Sequence, residues 1–145
     1  MRTFAGMEGF RHSCEVQVRF KDVDALGHVN NANHLSYAEF ARITYFNEVV
    51  GKNINWDKNG IILASAKVDY KKPIRFGDAL IVFTRCFRLG NKSFDLEYTI
   101  CRKEGSAFIE LARVITTMVC YDYVNARSVQ MDEAWRNKIR SFEQL

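Results

Sequence analysis

Asp24–Arg42 reads DALGHVNNANHLSYAEFAR, and the fold turns on how this stretch divides. Its first part is loop-like: one carboxylate, then a glycine, a histidine and asparagines at 30, 31 and 33. Its second part has helical periodicity, which continues past Arg42. On a wheel of about 100° per residue, Leu35, Ala38, Ala41, Tyr45, Phe46 and Val49 form an apolar stripe, and Phe40, Ile43 and Val50 fill much of the remaining circumference. The spacing predicts a helix over 32–50, stopped by Gly51 just past its C-terminus. A helix apolar on so many sides is expected to be enclosed on most of them.

The flanking segments suit that helix. Upstream, Cys14, Val16, Val18 and Phe20 alternate with Glu15, Gln17 and Arg19, which predicts a half-buried strand followed by a loop over 21–30. Downstream, a polar loop over 51–60 leads into four strand-like runs with no helix between them. In the first, Ile62, Ala64, Ala66, Val68 and Tyr70 are expected on one face. Pro73 and Gly77-Asp78 break it from the second, over 79–89; Gly90-Asn91 is a hairpin signal. The third alternates Phe94, Leu96, Tyr98 and Ile100 against Ser93, Asp95, Glu97 and Thr99, and Glu104-Gly105 turns the chain into the fourth, over 108–121. A last helix over 131–142 stacks Met131, Trp135, Ile139 and Phe142. The order is β-α-β-β-β-β-α. Long consecutive strands joined by tight turns make a mostly antiparallel sheet. With an enclosed helix, this implies an α+β fold: a curved sheet wrapped around a long central helix, in a single domain spanning 1–145.

Composition narrows the function classes. The 145 residues are 48% hydrophobic with a net charge of +4, which suits a globular protein meeting an anionic small molecule. It falls short of a nucleic-acid footprint, because Lys71-Lys72 and the bases between Arg136 and Arg140 are short runs without interleaved aromatics. Cys14, Cys86, Cys101 and Cys120 lie in apolar runs without CxxC spacing and read as reduced, buried thiols; no metal set is expected. No signal-peptide core or membrane-spanning run occurs, so a cytoplasmic location is expected.

The chemistry concentrates in the loop before the helix. A carboxylate there stands next to free backbone N–H groups, which can bind a developing oxyanion. Asp24 is the candidate, being nearer the glycine and the helix; Asp22 reads as a turn or surface residue. One of Asn30, Asn31 and Asn33 is expected to cap the helix. The other amides remain free to orient a carbonyl or a water. His28 is a base, a donor or simply a loop residue; His12 and His34 read as structural. Gly27 serves either close backbone approach or a positive φ. Within the helix, Arg42 falls in the apolar stripe with Glu39 at i−3. The two form a partly buried ion pair, or one of them lines a ligand site. Tyr37, Phe40 and Tyr45 are core residues or pocket walls. Nothing matches a nucleophilic serine, dinucleotide, P-loop or zinc-protease pattern.

The stretch Arg19–Phe46, RFKDVDALGHVNNANHLSYAEFARITYF, resembles the hotdog-fold thioesterases of the 4-hydroxybenzoyl-CoA thioesterase and YbgC-like group. The likeness rests on the D-x-D-x-x-G-x-V core and extends to Val68-Asp69-Tyr70, Pro73 and Gly77-Asp78. It implies a hotdog fold, without a cofactor, that hydrolyses an acyl-CoA or acyl-carrier-protein thioester. Asp24 is then nucleophile or general base, with an oxyanion contact from a backbone N–H near Asn30 to Ala32. His28, Asn30, Asn31 and Asn33 would be supporting residues; Gly27, Val29 and Ala32 would lie on the substrate side. A homodimer or homotetramer is implied. YbgC-like members tend to carry histidine where Asn31 stands, and plant acyl-carrier-protein thioesterases carry asparagine where Leu26 stands. A hotdog dehydratase and a non-catalytic acyl-CoA-binding module are the competing readings.

Overall fold

The computed structural model describes residue 4 and residues 6–145. Strand β1 (His12–Gln17) leads through a short 3-10 turn (Phe20–Asp22) to helix α1 (Asn33–Val49). Strands β2 (Gly60–Tyr70), β3 (Ala79–Leu89), β4 (Ser93–Glu104) and β5 (Ala107–Asp122) follow, then a two-residue β6 (Arg127–Ser128) and helix α2 (Glu133–Glu143). The antiparallel sheet runs β1-β3-β4-β5-β2, with β6 on the end of β5. This is the expected curved sheet around a long helix. Ala38, Ala41, Tyr45 and Phe46 of α1 are buried against Phe94, Leu96, Tyr98 and Ile100 of β4, and Trp135 and Ile139 of α2 close the same core. On the opposite face, Phe10 with Phe4 and Met7 covers Phe83 and Cys101.

Several boundaries differ from the sequence reading, each for a local reason. β1 stops at Gln17. The chain turns because the Asp22 carboxylate accepts the Arg19 N–H at 3.0 Å while Asp22 N–H reaches Arg19 O at 2.9 Å. Phe20 is therefore out of the strand and 81% exposed. In β2, a bulge between Leu63 and Ser65 resets the alternation. Leu63 pairs with Met118, and Ala66 with Thr116, so the concave face carries Ile61, Leu63, Ala66, Val68 and Tyr70 rather than one unbroken period. The helix is also less enclosed than its wheel implies: Phe40 and Ile43 are exposed in the single chain. The expected Glu39–Arg42 pair does not form among the described residues; buried Arg42 donates to Tyr98 Oη at 3.0 Å instead.

The cysteines sit as expected for reduced thiols. Cys86, Cys101 and Cys120 are buried and Cys14 half-buried. Burial pushes Cys86 and Cys101 up to about 12 and Cys14 and Cys120 up to about 11.

Candidate active site

The segment 22–30 folds into a miniature hairpin. Asn30 N–H donates to Asp22 O at 2.8 Å and Asp24 N–H to His28 O at 2.9 Å, bracketing a Val23–Val29 bridge. Gly27 closes the tip with its N–H on Asp24 O at 3.1 Å and a φ of +80°. A Cβ there would meet open space, so of its two anticipated uses the backbone conformation is the one that needs glycine. Cross-strand parity puts Asp24 and His28 on one face of the hairpin and Val23 and Val29 on the other. Val29 is buried in the core and its N–H is bound to Ile74 O at 2.7 Å, so it anchors the loop. Asp24 is exposed, its Oδ1 accepting the Leu26 N–H at 2.9 Å.

Asp22 is the main correction. Far from being a surface residue, it is 1% exposed. Its carboxylate accepts from Arg19 N–H, from the Arg19 guanidinium at 3.1 Å and from Tyr37 Oη at 2.8 Å. Burial alone would raise its pKa, but these donors outweigh burial and hold the carboxyl below its ordinary value. The same environment raises Tyr37, through burial first and the neighbouring carboxylate second. Asp22 also holds the loop through its backbone: its carbonyl takes Asn33 Nδ2 at 3.1 Å as well as the Asn30 N–H.

The three asparagines divide the work at the helix start. Asn30 Oδ1 accepts the Ala32 N–H at 2.9 Å, and Asn30 O accepts the Asn33 N–H at 2.9 Å. Asn30 thus holds the turn just ahead of α1, while the N-cap position falls on Ala32, which makes no side-chain cap, so the expected asparagine cap is not formed. Asn33 ties the helix to the loop. Asn31 is held by its carbonyl, which accepts from His34 Nδ1 at 3.2 Å and from Tyr70 Oη at 3.0 Å. Burial lowers the His34 pKa, against hydrogen bonds to the Asn31 and Asn30 backbone that raise it. Across 30–32, then, the N–H groups of Asn30 and Ala32 are engaged, and that of Asn31 has no acceptor among the described residues. Asn31 borders a cavity of about 210 Å³ together with His28, His34, Tyr70, Lys72 and Pro73.

Residues 18–139 match the Thioesterase-like superfamily. The fold superposes on the crystal structure of a Thermus thermophilus thioesterase complexed with coenzyme A and Zn, with a TM-score of 0.82 and 37% identity over 96% of this chain and 99% of that one. The chain belongs to the Thioesterase-like superfamily. Among curated relatives, the Escherichia coli long-chain acyl-CoA thioesterase FadM is 25% identical, covering 86% of this chain and 94% of its own length. The putative acyl-CoA thioesterase YneP of Bacillus subtilis is 22% identical over 89% and 93%. A third, Bacillus subtilis YsmA, is 30% identical over 91 residues, which span 61% of its length.

Membership places this hotdog chain among thioester hydrolases. The loop holds Asp24, Gly27, His28 and the asparagines within one hairpin and the helix start, and Val29, buried in the core, also borders the cavity beside Asn31. What residue types alone did not reveal is the frame behind them: Asp22, Arg19, Tyr37, His34 and Tyr70. Tyr37 lies one helical turn beyond Asn33, a spacing that signals a shared face. Nothing local marks Tyr70, which arrives from β2. Among the described residues no group of three or more His, Cys, Asp or Glu is placed to hold a metal, and no helix is long and apolar enough to cross a membrane.

Proposed function

We propose that the chain, acting as one domain in the cytoplasm, hydrolyses acyl-CoA thioesters, with Asp24 as the reacting carboxylate and the Asn31 N–H as the oxyanion donor. The observation that carries this reading is superfamily membership together with an Asn31 N–H that has no acceptor among the described residues, in the same loop as the exposed Asp24 carboxylate. A thioester carbonyl set on the Asn31 N–H has its developing negative charge met by a dipole fixed in advance. Asp24 then attacks the carbonyl carbon to give a mixed anhydride and free thiolate, or deprotonates a water that attacks in its place. Coenzyme A leaves as a thiolate, so little acid assistance is needed.

Two features support assembly as a homodimer or a tetramer built from dimers. β2 is a long, open edge strand, and exposed edges of that kind invite pairing. Phe40 and Ile43 of α1 are exposed apolar residues that a second copy would cover.

The test is free-thiol release from a panel of acyl-CoAs, repeated with Asp24→Asn and with one acyl-carrier-protein thioester. Turnover by the wild type and its loss in a folded Asp24→Asn are expected. Binding without thiol release across the panel would favour a non-catalytic acyl-CoA module; faster release from the carrier protein would reassign the donor. Light scattering on the purified chain checks the assembly, and a monomer would remove that part.

A further inference from the structure

Arg42 is a buried cation outside the loop that carries Asp24. It lies on α1 and is 8% exposed. Its Nη1 donates to Tyr98 Oη at 3.0 Å, and Tyr98 Oη stands 3.2 Å from Thr116 Oγ1. Both partners are neutral, and no ion pair to Arg42 forms among the described residues. A guanidinium has five donors and loses its hydration on burial, so a buried one is ordinarily met by an anion.

Arg42 borders a cavity of about 510 Å³ whose walls include the apolar side chains of Trp56, Ile61, Leu63 and Met118. Glu39 borders the same cavity and is exposed. The cavity lies at one end of the concave face of β2. The smaller cavity beside Asn31 lies at the other end, at Tyr70. Between them Ala66 is exposed and Val68 half-buried, so α1 leaves the face uncovered there. Along the helix axis, the eleven positions from Asn31 to Arg42 span about 16 Å at 1.5 Å per residue. A trough joining the two cavities along this face would have Asn31 at one end and Arg42, whose hydrogen-bond partner is neutral, at the other.

Building on the thioesterase reading, we propose that Arg42 selects the far end of the acyl group. The preferred substrates are thioesters whose acyl chain ends in a carboxylate, which Arg42 receives in the cavity beside Trp56 and Met118. A plain hydrocarbon chain would fill the trough and leave the guanidinium unmatched.

The experiment compares two CoA thioesters of equal chain length, one of a dicarboxylic acid joined at a single end and one of the corresponding monocarboxylic acid. Wild type, Arg42→Lys and Arg42→Met are assayed on both. Wild type is expected to favour the carboxylate-ended substrate by roughly tenfold or more in kcat/KM, mainly through KM, as a charge-assisted hydrogen bond in a desolvated site implies. Arg42→Met should abolish that ratio, and Arg42→Lys should keep more of it. A purely structural Arg42, or one neutralised by a second copy of the chain, would leave the ratio the same in all three proteins. That result overturns the proposal, as does a wild-type preference for the methyl-ended chain. If Arg42→Met does not fold, the wild-type and Arg42→Lys ratios decide. Calorimetric binding of the two non-hydrolysable thioether analogues reads the same preference without turnover. Absence of hydrolysis would therefore count against the thioesterase reading, while the binding ratio still judges this one.

Discussion

The two ends of α1 serve opposite purposes. At its N-terminus the chain leaves a donor open: Asn31 N–H has no acceptor among the described residues, Asp24 is exposed, and Asp22, Tyr37 and Tyr70 form a hydrogen-bonded polar frame. At its C-terminus the terminal groups find partners within the chain. Val50 and Gly51 N–H both return to Phe46 O, and Lys138 Nζ reaches across from α2 to Val50 O at 2.8 Å. Glu143 of α2 accepts from Tyr45 Oη at 2.7 Å and from Cys86 N–H at 2.5 Å. Both ends bury a carboxylate among donors, and at the first end the same loop also carries the Asn31 N–H, which has no acceptor among the described residues. Buried polar groups that are fully satisfied rigidify a fold; chemistry needs some left open.

This contrast can be broken by mutating each end. The largest effect is expected at the open end: Asp24→Asn should lower kcat about a thousandfold, with Tm moved by no more than about 2 °C because the residue is exposed. Thiol-release kinetics and a thermal melt on one preparation check both halves, and a large Tm loss would mean that Asp24 is structural. At the C-terminal end the pattern should invert. Glu143→Ala strands Tyr45 Oη and Cys86 N–H, which should cost about 2–4 kcal/mol in denaturant unfolding and leave kcat per folded molecule unchanged.

Asp22→Asn should fall between the two. Weakening the charge-assisted bonds from Arg19 and Tyr37 is expected to cost about 1–2 kcal/mol at pH 7, with a severalfold fall in kcat as the loop loosens. Because the folded pKa of Asp22 is depressed, its contribution is fully present above the unfolded value and disappears as pH falls through the folded one. The stability gap between wild type and Asp22→Asn should therefore close on acidification below about pH 4. The smallest effect sharpens the C-terminal end. Burial raises the Glu143 pKa against the hydrogen bonds that lower it, so wild type loses stability as pH rises through the folded value. Glu143→Gln removes that titration, and its Tm relative to wild type should increase as pH rises above the ordinary glutamate range. A constant difference would show that Glu143 is charged throughout.

Most of the fold was legible because its signals are local. The third and fourth strands alternate cleanly, Gly90 and Gly105 mark their turns, and the apolar circumference of α1 calls for a surrounding sheet. The errors came where a nonlocal partner outweighed a local pattern. The bulge in β2 is dictated by pairing with β5, so the parity of Ile62 and Ala64 could not be read from β2 alone. Asp22 and Asp24 have the same side chain two positions apart, and spacing cannot say which one a distant tyrosine will claim.

The sequence by itself determined the element order, the helix with too many apolar sides to stand alone, and the loop in which a carboxylate precedes that helix. Periodicity and turn chemistry act over a few residues, so one chain suffices to read them. Only the tertiary structure decided which groups are satisfied. Tyr37 and Arg19 converge on Asp22, Tyr70 from β2 and His34 pin the Asn31 carbonyl, and Arg42 meets Tyr98 of β4 rather than its helical neighbour Glu39. Hydrogen-bond satisfaction depends on which atoms fold within about 3 Å of one another, and that proximity belongs to the packed chain.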